Sequence, residues 1–492
     1  MKLIKRCWSV ILLGWWVSLT GGLEGAESRP PNIVFFLVDD LGIADIGAFN
    51  PNTFYETPNV DRLAAGGMRF TQAYAACQVC SPTRASILTG MYPQRLGITD
   101  FINPQGKNQP EQWTRNTRHL PAPYQDHLAL EAVTLPELLK TRGYATFFAG
   151  KWHLGAEGFF PEDQGFDFNF GGIEQGGPYG GKKYFSPYGN PRLSDGPDGE
   201  HLPDRLAREA VQFIKDHRDE PFLAYLSFYS VHTPLMARPD LVEKYEAKRK
   251  ALGLEAEWGV EGPRKVRLVQ EHAVYAGMVE AMDQAVGRVL DGLDELGLAE
   301  NTIVVFTSDN GGLSTSEGWP TSNLPFRGGK GWMYEGGIRE PTIVRWPGVT
   351  PEGQVSETLV TSPDWVPTLV EAAGVTVPKG LNFDGVSLLP AWRGAEQSRG
   401  PIFWHYPHYG NQGGFPSGAV RDGAWKLVEN YDDGSVELYN LKTELSEQYD
   451  QAASQPDLVI RLQAQLRNWL GTVGARMPAV NPAFDPAEAP GR

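Results

Sequence analysis

The sequence predicts an α/β protein whose central sheet is mainly parallel and sandwiched by helices, followed by a smaller C-terminal α+β subdomain on an antiparallel sheet. Three observations predict it. Up to about residue 390, apolar runs of strand length alternate with segments of helical periodicity. Several of these runs are unbroken, as strands buried on both faces require. Beyond Arg393 the runs shorten and are joined by the turns Arg421-Asp422-Gly423 and Asp432-Asp433-Gly434.

In chain order, Pro31 to Gly42 is a continuous apolar run that ends in Asp39 and Asp40. Ligands of open α/β sheets lie beyond the carboxyl ends of the strands, where these acids fall, and a cation explains two adjacent carboxylates there. Pro58 to Ala65 reads as a short helix and Arg69 to Ala75 as a strand. Thr134 caps a helix to Thr141. The strand Tyr144 to Ala149 then delivers Lys151 and His153 between glycines in Gly150-Lys151-Trp152-His153-Leu154-Gly155. Phe159 to Asp198, rich in Gly, Pro and aromatics, reads as long loops rimming a pocket. Leu202 to Arg218 is helical, and Pro221 to Ser230 is a strand closed by His232-Thr233-Pro234. Arg267 to Leu298 carries the longest helical stripe. The strand Thr302 to Thr307 ends in Ser308-Asp309-Asn310-Gly311-Gly312, repeating the pattern of a buried strand followed by oxygen donors. Lys330 sits among glycines before the strand Pro341 to Arg345, and Ser362 to Ala373 is a helix. Four short strands follow, from Pro401, Gly418, Trp425 and Val436, and then a helix from Pro456 to Leu470.

The division expected is a signal peptide over 1–26, an α/β domain over 27–393, an α+β subdomain over 394–476 and an irregular tail over 477–492. Lys2, Lys5 and Arg6 precede an apolar run, Trp8 to Leu19, and small residues follow. The run is short for a comfortable span and reads as a cleaved signal in preference to an uncleaved N-terminal anchor; either way the body of the protein is exported, periplasmic or secreted, with no stable membrane span once the signal is removed. The 492 residues carry a formal charge of −15 and no basic run, which argues against nucleic acid as a partner. Of three cysteines, Cys7 lies in the leader, so the mature chain is no disulfide scaffold.

Of the remaining two cysteines, Cys77 precedes and Cys80 opens the most specific stretch, Cys80-Ser81-Pro82-Thr83-Arg84-Ala85-Ser86-Ile87-Leu88-Thr89-Gly90. A nucleophile just ahead of a helix lies in the positive field of its N-terminus. Pro82 suits the first turn, and Arg84 falls within a turn of Cys80. A Cys77–Cys80 redox or zinc pair finds no second cysteine pair to support it. Asp39, Asp40, Asp309 and Asn310 would converge at one sheet edge, and four hard oxygen donors fit a group-two cation better than zinc.

The Cys-x-Pro-x-Arg stretch with its Leu-Thr-Gly resembles the signature of the type I sulfatases, and the likeness runs from about Pro31 to Tyr439. It is strongest to arylsulfatase-like members, which have an alkaline phosphatase-like fold. The resemblance implies that Cys80 is converted to formylglycine (3-oxoalanine) by a maturation enzyme. It implies calcium, ahead of magnesium, on Asp39, Asp40, Asp309, Asn310 and the modified Cys80. Arg84 would hold the formylglycine hydrate, and Lys151, His232 and Lys330 the sulfate. His153 would assist turnover of the covalent intermediate, and His232 with Lys330 would protonate the leaving alcohol. The expected substrate is a sulfated small molecule or glycan, with galactose or N-acetylgalactosamine 4-sulfate favoured. Trp152, His405 and His408 are expected to contact the sugar, the two histidines because His405-Tyr406-Pro407-His408-Tyr409 resembles segments of carbohydrate sulfatases. The rival readings are a phosphate or phosphonate ester hydrolase on the same fold, and an unmodified, non-catalytic sugar-binding homologue.

Overall fold

The computed structural model describes residues 29–488, and the expected signal peptide lies outside them. Eight strands form the main sheet: β1 (Asn32–Val38), β2 (Met68–Phe70), β3 (Ala145–Gly150), β4 (Phe168–Phe170), β5 (Phe222–Phe228), β6 (Thr302–Ser308), β7 (Thr342–Arg345) and β8 (Gln354–Ser356). Their spatial order is β8-β2-β7-β6-β1-β5-β3-β4. The strands β6, β1, β5, β3 and the edge strand β4 run parallel. β7 is antiparallel to both β6 and β2.

Both faces of β1 are buried, and its alternation sorts the core into two layers. Val34, Phe36 and Val38 pack with helices α4 (Leu202–Asp216) and α6 (Ala273–Glu295). Ile33, Phe35 and Leu37 pack with α2 (Cys80–Thr89), α3 (Leu135–Lys140) and α7 (Trp365–Ala372). Among the described residues no helix is long and apolar enough to cross a membrane.

Several local expectations shift. The strand expected over Arg69 to Ala75 is split, with Ala73–Tyr74 pairing to Val360–Thr361 outside the main sheet. Phe168–Phe170, expected as loop, is an edge strand. The long helix starts at Ala273 rather than Arg267, because Arg264–Arg267 pairs with Trp258–Glu261 as a hairpin and His272 Nδ1 caps the helix by accepting from Tyr275 N. A helix α5 (Pro239–Leu252) precedes that hairpin. The tail is not wholly irregular: Ala479–Val480 pairs with Leu120 and His119 through backbone bonds, which demand no side-chain pattern.

The C-terminal sheet is antiparallel, β9 (Ile402–Tyr406), β10 (Ser417–Asp422), β11 (Trp425–Asn430) and β12 (Val436–Asn440) in that order, backed by α8 (Pro456–Thr472). A wholly buried ionic contact fastens it to the larger domain: Lys426 Nζ donates to Glu335 Oε1 at 3.1 Å and to Glu447 Oε1 at 2.8 Å.

Candidate active site

Register assembles the site. Val38 pairs with Ser308 in the β1–β6 ladder, so the residues that follow, Asp39 with Asp309 and Asp40 with Asn310, emerge together. Gly150 pairs with Ser227 one strand away, which brings Lys151 out at the same edge. Gly150 is obligatory there: a Cβ would sit 1.9 Å from Ser227 O, and its φ is +103°.

Asp39, Asp40, Asp309 and Asn310 are all buried, and the cations interleave with them. Lys151 Nζ lies 2.7 Å from Asp39 Oδ2, and Lys330 Nζ lies 2.8 Å from Asp40 Oδ2. Arg84 donates from Nε to Asp309 Oδ2 at 2.8 Å, and from Nη1 to Lys151 O and to Ser227 Oγ. Asn310 Nδ2 donates to Asp40 Oδ1 at 2.9 Å. Burial pushes Asp39 up to about 8; Lys151 pulls against it, while Asp309 and Asp40 reinforce the rise. Burial also raises Asp40, but Lys330 and His232 outweigh it and hold that carboxyl well below its ordinary value.

Cys80 is the first residue of α2, with Sγ 3.7 Å from Asp39 Oδ1. Burial pushes its thiol up to about 12. Cys77 and Cys80 are both free, so no disulfide joins them. The ligand atoms of Asp39, Cys80 and Asp309 lie within 4.8 Å of one another, as do those of Asp40, Cys80 and His232. Asn310 Oδ1 is buried without a hydrogen-bond partner, an acceptor left for something else to satisfy. Crowded carboxylates and an orphaned amide oxygen fit a hard divalent cation.

Above this cluster opens a cleft of about 650 Å³, lined by Cys80, His153, His232 and Lys330 among others. Ile102 O can only accept, so His153 Nε2 carries the hydrogen in their 2.8 Å bond, and Nδ1 is left as an unpartnered acceptor. Burial, reinforced by Lys151, depresses His153 well below its ordinary value and keeps it neutral. His232 Nδ1 donates to Thr233 O at 2.7 Å, leaving Nε2 3.8 Å from Asp40 Oδ2. Burial and Lys330 bring His232 down to about 3. Arg84 and Lys151 do not line the cleft; they lie buried against the acids.

Three expected sugar contacts are corrected. Trp152 is buried in the core against Phe148 and Phe166, with Nε1 donating to Phe159 O. His405 is buried in the C-terminal subdomain between Tyr431 Oη and Arg476 O. His408 is buried with Nε2 2.9 Å from Thr99 Oγ1. None of the three lines the cleft. The aromatic side chains there are instead Phe101 and the half-exposed Tyr179, the latter with Glu174 in the Gly- and Pro-rich loop region. Glu317, Asn411 and Gln412 also line it, and no pattern local to their segments signals that.

Known proteins bear on this arrangement. The sulfatase family matches residues 31–375, and the C-terminal family of N-sulphoglucosamine sulphohydrolase matches residues 328–471. A sulfatase of Formosa agariphila is 32% identical, with 95% of this chain and 94% of the relative covered. The N-acetylgalactosamine-6-sulfatase of Canis lupus familiaris is 34% identical over 81% of this chain and 72% of its own. The crystal structure of Ps i-CgsB in complex with k-i-k-neocarrahexaose superposes with a TM-score of 0.73 at 28% identity, covering 90% of this chain and 93% of that one. A match over most of the chain, on top of a cysteine motif seated at the acid cluster, means that this chain belongs to the sulfatase family, enzymes that hydrolyse sulfate esters on an alkaline phosphatase-like fold.

Proposed function

We propose that Cys80 is converted to formylglycine by a maturation enzyme and that the mature, exported protein hydrolyses sulfate monoesters of a glycan. The galactose or N-acetylgalactosamine 4-sulfate group is its preferred target. The observation that carries the reading is the position of Cys80, at the start of a helix on the cleft wall, against Asp39 and within reach of Asp309. The names of the N-acetylgalactosamine-6-sulfatase relative and of the neocarrahexaose complex support a sulfated galacto-type sugar.

Asp39, Asp40, Asp309, Asn310 and residue 80 would hold calcium, which supplies charge neutralisation for the non-bridging sulfate oxygens. As an aldehyde hydrate, residue 80 supplies a hydroxyl nucleophile. The chain's own groups do the rest. Lys330 and His232 face the sulfate from the cleft wall. Lys151, buried against Asp39 just beneath the cleft, would offer its ammonium to the sulfate. Arg84 ties Asp309 to α2, fixing the acids relative to the nucleophile. Neutral His153 has the free acceptor needed to take a proton from the hydrate. An anionic ester beside His232 opposes the depression of that histidine and favours its protonated form, which can then donate to the leaving alcohol.

Intact mass of the peptide containing Cys80 tests the modification: conversion of thiol to aldehyde removes about 18 Da. The unmodified mass on protein expressed with a maturation enzyme would leave a non-catalytic sugar-binding homologue. Rates on matched sulfate and phosphate esters decide the chemistry, with sulfate expected to be faster; faster phosphate or phosphonate hydrolysis would overturn it. Defined galactose and N-acetylgalactosamine 4- and 6-sulfates then read the regiochemistry.

A further inference from the structure

Two carboxylates outside the acid cluster, Glu174 and Glu317, line the cleft with Lys330, and Glu317 is the one whose carboxylate is held by side-chain amides. Asn411 Nδ2 donates to its Oε1 at 2.8 Å, and Gln412 Nε2 donates to the same oxygen at 2.9 Å. Among the described residues, Oε2 has no hydrogen-bond partner and no cation lies within ion-pair distance of the side chain. Both amides are themselves fixed. Gln412 O accepts from Thr315 Oγ1 at 3.0 Å and from Trp332 Nε1 at 3.1 Å. Asn411 O accepts from Arg264 Nη2 at 2.6 Å.

The backbone is equally committed. Glu317 has φ +52°, Gly318 φ +95° and Trp319 φ +47°. A glutamate has no intrinsic reason to take the left-handed region, and such residues persist where their surroundings over-determine them, often at ligand sites. The turn is clamped by Trp319 N donating to Ser316 O at 2.8 Å and by Trp319 Nε1 donating to Lys265 O at 2.9 Å. A strained residue presents one open carboxylate oxygen to the substrate space.

We propose that Glu317 is a specificity residue: it accepts a hydroxyl of the sugar that carries the scissile sulfate and excludes a second anionic group beside it. The inference rests on the sulfatase reading above and names the substrate class more closely, a sugar sulfated once with a free neighbouring hydroxyl. A carboxylate accepts from hydroxyls and donates nothing, so it rewards a free sugar alcohol with a charge-assisted bond. A second sulfate at that position meets a fixed like charge and loses the bond as well, so discrimination has both an attractive and a repulsive part.

The test compares wild type with Glu317→Gln on N-acetylgalactosamine 4-sulfate, 6-sulfate and 4,6-disulfate, with 4-nitrophenyl sulfate as a reference ester lacking sugar hydroxyls. Wild type is expected to prefer a monosulfate over the disulfate by about tenfold or more. In Glu317→Gln that preference narrows by about tenfold, and kcat/KM on the monosulfate falls further than on the aryl ester. Equal effects on sugar and aryl esters, or an unchanged mono- to disulfate ratio, would overturn the proposal. Calorimetric binding of the same sugars to Cys80→Ser, with and without Glu317→Gln, reads the selectivity without turnover, and absence of any difference there also overturns it. A wild-type protein inert to every sulfate ester defeats the sulfatase reading, whereas a failed Glu317 effect in an active enzyme defeats this inference alone.

Discussion

Lys151 Nζ lies 2.7 Å from Asp39 Oδ2, and neither side chain reaches solvent. Two strands separated by β5 deliver them to one point, so the pair is a tertiary product. Removing one partner of a buried pair strands the other's charge. Lys151→Met is therefore expected to cost about 3–5 kcal/mol in cation-free protein by urea unfolding at about pH 9, above the value of about 8 to which burial raises Asp39, where the carboxyl starts out ionised. Because a cation on Asp39 would relieve that stranded charge, the deficit shrinks when calcium is added. A deficit under 1 kcal/mol without cation would show that the carboxyl was already protonated and the pair of little consequence.

The acid cluster itself predicts strong linkage between cation and stability. With free calcium at about a hundred times its Kd, unfolding free energy rises by about 2.7 kcal/mol over protein in chelator. Asp309→Asn removes most of this gain, because it deletes a charged donor at the centre of the cluster. Thermal unfolding curves that coincide in calcium and in chelator would remove the cation from the site.

Gly176 lies against the His153 ring. A Cβ there would stand 2.8 Å from Cε1 and 3.0 Å from Nε2, closer than real Cβ contacts allow. Gly176→Ala must push the ring off Ile102 O, so kcat on an aryl sulfate is expected to fall about 10- to 100-fold. An alanine variant that turns over at the wild-type rate would mean that His153 takes no part in the rate-limiting step.

The Lys426 contact gives a pH dependence. Burial raises Glu447 to about 7, with Lys426 pulling against the rise, from an ordinary value of 4.5. The native state thus holds that proton more tightly than the unfolded chain. The group's contribution is complete below about pH 4.5 and is lost as pH climbs through 7. Glu447→Gln keeps an acceptor for Lys426 but cannot ionise. Its stability relative to wild type should therefore improve by about 1–3 kcal/mol between pH 4.5 and 8, measured by urea unfolding at several pH values. Parallel pH profiles for the two proteins would contradict the assignment.

The sequence alone was enough for the layered α/β architecture, because unbroken apolar runs such as Ile33 to Val38 require cover on both faces. It was also enough to mark Asp39, Asp40, Asp309 and Asn310 as donors at strand ends, and Cys80 and Arg84 as one motif, since each signal lies within a few residues of chain. Tertiary structure alone decided which side chains share a space. Trp152, His405 and His408 carry sugar-binding residue types but point into cores and internal hydrogen bonds, and local sequence does not report the direction in which a neighbouring segment closes. Glu317 meets Gln412 across 95 positions of sequence. No period or spacing encodes such a contact; it exists only because tertiary packing brings the segment at 411–412 to the same cleft as Glu317.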